Sequence, residues 1–161
     1  MRCGALAAVP AGADLRRRRQ PVQHPSRVGR WRDLARICEN ESLPLKLPPA
    51  RFPQNGLKAA RVALGLGEKT GALSRAVYMA SFAEQKDIAE DAVLRDILVR
   101  PGVNAAASMA AANSAENKAA LKAQTDEAIA RGIFGAPSFT VGDELFWGND
   151  RLEDAIAWAK R

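Results

Sequence analysis

Gly132-Ile133-Phe134-Gly135-Ala136-Pro137-Ser138-Phe139-Thr140-Val141, then Gly142-Asp143, then Glu144-Leu145-Phe146-Trp147-Gly148-Asn149-Asp150-Arg151, is the stretch on which the fold turns. β-Branched and aromatic residues flank a two-residue Gly-Asp element, the composition of a hairpin turn between antiparallel strands. Asp150 stands three residues before Glu153, a capping-box spacing, so a last helix is expected there with Leu152, Ile156 and Trp158 toward the core. Two antiparallel strands closed by a helix make half of a small α/β sheet.

Working upstream, the period changes from two to about 3.6. Asn55 is placed to cap a helix whose Leu57, Ala60, Arg61 and Leu64 share a face, ended by Gly65 and Gly67. A second helix is read from Glu68 to about Ala83 and a third over about 88–99, stopped by Pro101-Gly102. Asn104 and Asn113 are each expected to cap Ala-rich helices, Asn113 pairing with Glu116, and the last of these ends at Gly132. Residues 55–131 therefore form a helical block. Before it, Leu43-Pro44-Leu45-Lys46-Leu47 alternates as a short strand closed by Pro48 and Pro49, and Trp31, Leu34, Ala35 and Cys38 make one apolar helical stripe over about 31–40.

Charge is unevenly spread. The net +6 is carried by residues 1–30, where seven arginines, four of them at Arg16 to Arg19, face the single acid Asp14; the rest of the chain holds 17 basic and 17 acidic residues. With Pro10, Pro21 and Pro25 and few large apolar groups, 1–30 reads as a disordered Arg/Pro-rich tail. Nucleic-acid binding by the domain is not expected. No apolar run is long enough to span a membrane. With no paired cysteines and only a loose likeness to a signal peptide at the start, a cytoplasmic protein is expected, with an Arg-rich organellar presequence as the alternative. Cys3 and Cys38 form no Cys-x-x-Cys pair, and the single histidine, His24, has no cluster of acids or thiols around it, so neither a dithiol centre nor a metal site is expected.

Two features of 132–151 carry chemistry. Ala136-Pro137 stands where a strand begins; a cis bond there turns the Ala136 carbonyl and N–H outward as an edge on which an extended peptide can dock, whereas a trans bond makes it an ordinary strand start. Gly148-Asn149-Asp150-Arg151 opens the last helix, where free N–H groups favour a carboxylate while Asp150 can accept from an ammonium group, or can simply cap. A carboxylate and an ammonium side by side describe the α-amino-acid end of a γ-glutamyl group. Arg61 can reach a ligand carboxylate, though an arginine that snorkels to water fits its position too.

These two segments, in this order and at this spacing, resemble the paired C-terminal signature of 2-hydroxychromene-2-carboxylate isomerases and of kappa-class glutathione transferases. Leu45-Lys46-Leu47-Pro48-Pro49 with Phe52-Pro53-Gln54-Asn55-Gly56-Leu57-Lys58-Ala59-Ala60-Arg61 resembles the same family, and the likeness runs over about 31–161. It implies a thioredoxin-like α/β fold of the DsbA type with an all-helical insertion: a partial thioredoxin-like domain at 31–54 and 132–161, and the insertion at 55–131. It implies glutathione as cofactor, held by Ala136 before a cis Pro137 and by Trp147, Gly148, Asn149 and Asp150, and an aromatic substrate facing Asn55. It implies a homodimer and glutathione-dependent isomerisation of hydroxychromene carboxylates, with kappa-type transfer or a non-catalytic glutathione-binding remnant as alternatives. The family's opening strand and Ser-Pro loop, whose serine favours the glutathione thiolate, have no counterpart legible in 1–30; Ser26 follows no apolar strand. The N-terminal βα part is thus expected to be truncated, with no catalytic residue assigned.

Overall fold

Alanine, with leucine next, is the commonest residue in the middle of this chain, and both lose little side-chain freedom in a helix, so helices dominate its structure. The computed structural model describes residues 27–161. In chain order these form α1 (Arg27–Asn40), α2 (Leu57–Leu64), α3 (Thr70–Tyr78), α4 (Asp91–Val99), α5 (Ala105–Asn113), α6 (Ala115–Ala130), β1 (Ser138–Val141), β2 (Glu144–Trp147) and α7 (Leu152–Trp158). A 3₁₀ turn, Gly67–Lys69, leads into α3, and a π turn, Met79–Ala83, follows it, so the expected helix from Glu68 to Ala83 is divided in three. The Arg16 to Arg19 run and His24 lie outside the described residues, whereas Arg27–Arg30, read with the tail, begin α1.

The core lies among α2, α3, α4 and α5. Val62, Leu73, Leu94, Ile97 and Leu98 are its most buried large side chains, joined by Val77, Ile88 and Met109 and by the alanines that let the helices approach. Leu121 and Ala128 bury one edge of α6. By contrast, Ala155 is the one buried residue of 132–161, and 29–56 contributes none.

Caps refine the reading of the helix ends. The Asn104 side chain accepts from the Ala107 N–H at 3.1 Å, as expected. The cap of α6 is Ser114, whose hydroxyl accepts from the Asn117 N–H at 3.1 Å; Asn113 instead ends α5 and donates to the Met109 carbonyl. Glu116 is held below its usual carboxylate range by its own backbone N–H and by the Ser114 hydroxyl. Asn55 lies outside α2, whose cap is Gly56, yet its carbonyl oxygen receives the Leu57 N–H at 3.1 Å.

Leu43–Leu47 is not a ladder strand. The alternation is real, with Leu45 and Leu47 half-buried against Ala35 and Cys38 of α1 around a groove of about 280 Å³, but the segment's one cross-chain backbone bond runs from the Lys46 N–H to the Phe82 carbonyl. Two glutamines tie the next stretch to the loop after the π turn. Gln85, at φ 62°, donates to the Lys46 carbonyl at 2.7 Å and accepts from the Ala50 N–H. Gln54 donates to the Lys86 carbonyl at 3.2 Å and accepts from the Ile88 N–H at 2.8 Å. These bonds fix where Asn55 and the start of α2 sit.

Candidate functional site

The hairpin forms as its sequence dictates. Ser138 faces Trp147, Phe139 faces Phe146 and Val141 faces Glu144, with Gly142 at φ 60° in the first of the two turn positions. Phe146 tilts toward Trp158 of α7 at 6.3 Å between ring centroids, and Arg161 stacks over Trp158 at 4.0 Å.

The N-terminal lip of the hairpin is a cluster of rings and backbone. The Ala136-Pro137 peptide is cis. Ala136 is exposed, and among the described residues neither its N–H nor its carbonyl has a hydrogen-bond partner. The Pro137 carbonyl accepts from the Gly148 N–H at 3.0 Å, which ties this lip to the end of β2. Phe134 packs on Trp147 at 4.9 Å and 54°, both rings more than half exposed. A Cβ on Gly135 would stand 2.6 Å from the Trp147 indole nitrogen, so glycine is what lets that ring lie against the backbone.

After β2 the chain turns through Gly148, at φ 116° and ψ 152°, into a 3₁₀ turn, Asn149–Arg151. The expected capping box at Asp150 is not made: α7 begins at Leu152 after Arg151, with no side-chain cap. The intervening 3₁₀ turn shifts the helix phase, so Leu152, Ile156 and Trp158 are 41, 38 and 38% exposed and Ala155 takes the buried position. The Asp150 carboxylate remains largely in solvent, at 71% side-chain exposure, with the Arg151 Nε 3.8 Å away.

Pro137, Trp147, Gly148, Asn149 and Asp150 thus come together with Ala136 on one rim, by strand register and by the Gly148 to Pro137 bond. Asn55 lies in a different part of the chain, and among the described residues no hydrogen bond joins it to that rim. Sequence reasoning missed Phe134 and Gly135; an aromatic-Gly pair just before the proline was the signal for both. No three His, Cys, Asp or Glu side chains gather among the described residues as a metal site would need, and no described helix is long and apolar enough to cross a membrane.

The chain is mostly helical with a small two-stranded sheet, and its fold is thioredoxin-like, of the DsbA kind. The DSBA-like thioredoxin domain family matches residues 14–156, and the chain belongs to that family. It is 32% identical over 132 residues to a 2-hydroxychromene-2-carboxylate isomerase of Pseudomonas sp. (strain C18), covering 79% of this chain and 61% of the relative. It is 30% identical over 121 residues to the enzyme of the same name from Sphingobium xenophagum, covering 75% of this chain and 62% of that one. A solved structure of a 2-hydroxychromene-2-carboxylate isomerase superposes with a TM-score of 0.71 at 25% identity, over 83% of this chain and 67% of that one. The chain spans about three-fifths of the length of these curated relatives.

Proposed function

We propose that this chain serves glutathione-dependent isomerisation of aromatic catabolites of the 2-hydroxychromene-2-carboxylate type, in the cytoplasm and as a homodimer. The observation that carries the reading is the joined rim: an exposed Ala136 backbone with an unused donor and acceptor, bonded through Pro137 and Gly148 to an open acid at Asp150. These groups fit a γ-glutamyl tripeptide. An extended peptide needs one backbone donor and one acceptor to pair in β fashion, which Ala136 offers. An α-ammonium needs an accessible carboxylate, which Asp150 offers. The family resemblance to named isomerases supplies the substrate class.

In this reading Ala136 holds the cysteinyl part of glutathione, and Trp147, Gly148, Asn149 and Asp150 hold its γ-glutamyl end. When bound, glutathione would supply a thiol for reversible addition to the unsaturated substrate. The protein's own work is to fix the tripeptide against the rim, while Trp147 and Phe134 shield it from water on one side. Asn55, held by its bond to the Leu57 N–H, keeps its amide NH₂ for a substrate oxygen.

Calorimetry with glutathione, alongside an absorbance assay on 2-hydroxychromene-2-carboxylate with and without it, tests the proposal. Saturable binding and thiol-dependent turnover that leaves glutathione unconsumed are expected. Turnover indifferent to glutathione, or no binding at millimolar concentration, overturns it; stoichiometric loss of the thiol indicates transfer instead.

A further inference from the structure

Arg61 on α2 is a cation without an anion. Its Nε is buried and has no hydrogen-bond partner, and no carboxylate among the described residues pairs with its guanidinium. Arginine cannot shed its charge to escape burial, and a buried N–H left unmade costs about 1–3 kcal/mol. The nearby charges do not answer it: Lys58, one turn earlier, is already paired with Asp91, and from α6 it is the Asn117 amide that approaches, donating to the Arg61 carbonyl at 3.3 Å.

The surroundings limit what can complete it. Leu57 and Leu64, at four residues before and three after, lie along the same side of α2 and are half-buried. A planar fork flanked by leucines matches a carboxylate on an apolar body better than a phosphate, because the neighbouring cation, Lys58, is already paired with Asp91. Arg61 also lies about 6 Å along the helix from Leu57, the residue whose N–H anchors Asn55.

We infer that Arg61 is the receptor for the carboxylate of a small aromatic acid, holding it along α2 with the ring against Leu57 and Leu64. The assignment rests on the proposed function for the identity of the acid as substrate, while the anion site itself stands on the buried Arg61 Nε, which has no hydrogen-bond partner.

2-Hydroxybenzoate and its uncharged amide serve as probes, titrated calorimetrically into the full chain in the absence of glutathione. The wild type is expected to bind the acid, the amide at least tenfold more weakly, and R61M to lose at least tenfold toward the acid. Equal binding of acid and amide, equal binding by wild type and R61M, or no binding by the wild type overturns the inference. Should R61M fail to fold, the Arg61 Hε resonance of the wild type gives the answer: a shift on adding the acid but not the amide supports it, and an unmoved resonance overturns it. Because no turnover enters, loss of the isomerase reading leaves this outcome legible, and a failed titration leaves the glutathione experiment untouched.

Discussion

Replacing Gly148 by alanine probes the rim where backbone geometry is most demanding. At φ 116° and ψ 152° the residue occupies a region that is essentially reserved for glycine, and a side chain there costs on the order of 1–3 kcal/mol. A second effect is steric, because the new Cβ would meet Asp150 Oδ1. The two differ in weight. Asp150 is 71% exposed and free to swing, so the clash is relieved cheaply, whereas no rotation relieves φ. The variant is therefore expected to shift Gly148 out of this conformation and to weaken its bond to Pro137. If glutathione needs the rim as it stands, affinity falls by about 5- to 150-fold, which is 1–3 kcal/mol expressed as a binding ratio. Calorimetry of wild type and G148A gives the ratio, and melts of D150A against G148A/D150A separate the causes, since a steric origin vanishes once Asp150 is truncated. A folded G148A that binds glutathione as tightly as the wild type refutes the reasoning.

Three further outcomes are expected. Leu94 is fully buried between helices, so L94A should cost about 2–5 kcal/mol in urea unfolding with an unchanged denaturant slope. S114A should cost about 1 kcal/mol while N113A costs clearly less, because Ser114 and not Asn113 receives the Asn117 N–H; the reverse order in thermal melts contradicts the assigned cap. Glu84 is lowered from 4.5 to about 2, first by its two bonds to the Arg100 guanidinium, at 2.5 and 2.7 Å, with burial opposing and Lys86 assisting. A value lower in the folded than in the unfolded chain stabilises fully above about pH 4.5 and fades as pH falls toward 2, so E84Q should be less stable than wild type at neutral pH, by at most about 1 kcal/mol for so solvent-accessible a pair, and the two should converge near pH 2.

What the sequence made legible was whatever is decided within one turn of chain. The hairpin followed from Gly142-Asp143 and its flanks, and the Asn104 cap from its place before an alanine run. Choices between adjacent residues were harder: Asn113 and Ser114 are both good caps, and only the packing of α5 on α6 decides that Ser114 ends one helix and begins the next. Leu43–Leu47 shows the other limit. Its alternation is that of a strand, but a ladder needs a neighbour, and no single segment encodes one. At Asp150 the spacing to Glu153 promised a cap, while the 3₁₀ turn after Gly148 delayed the helix and turned Leu152, Ile156 and Trp158 partly to solvent. The candidate rim residues were proposed through the family resemblance of their two segments, and the structure adds the Gly148 to Pro137 bond that joins those segments.

Stability and the candidate site are built from different parts of this chain. The core is supplied by α2 to α5, where apolar side chains interlock, whereas the rim belongs to a unit with only Ala155 buried. Such a unit has little packing of its own to resist opening, and segments with few buried contacts are those that open locally at low free-energy cost. If glutathione binds as proposed, it would both use the geometry of Gly148 and Asp150 and stabilise it, by about 2.7 kcal/mol at a hundredfold excess over its Kd. It follows that substitutions in the core should be read by melting and those on the rim by binding. Arg61 is the exception that joins the two regimes, because it stands on a core helix with its charge unanswered.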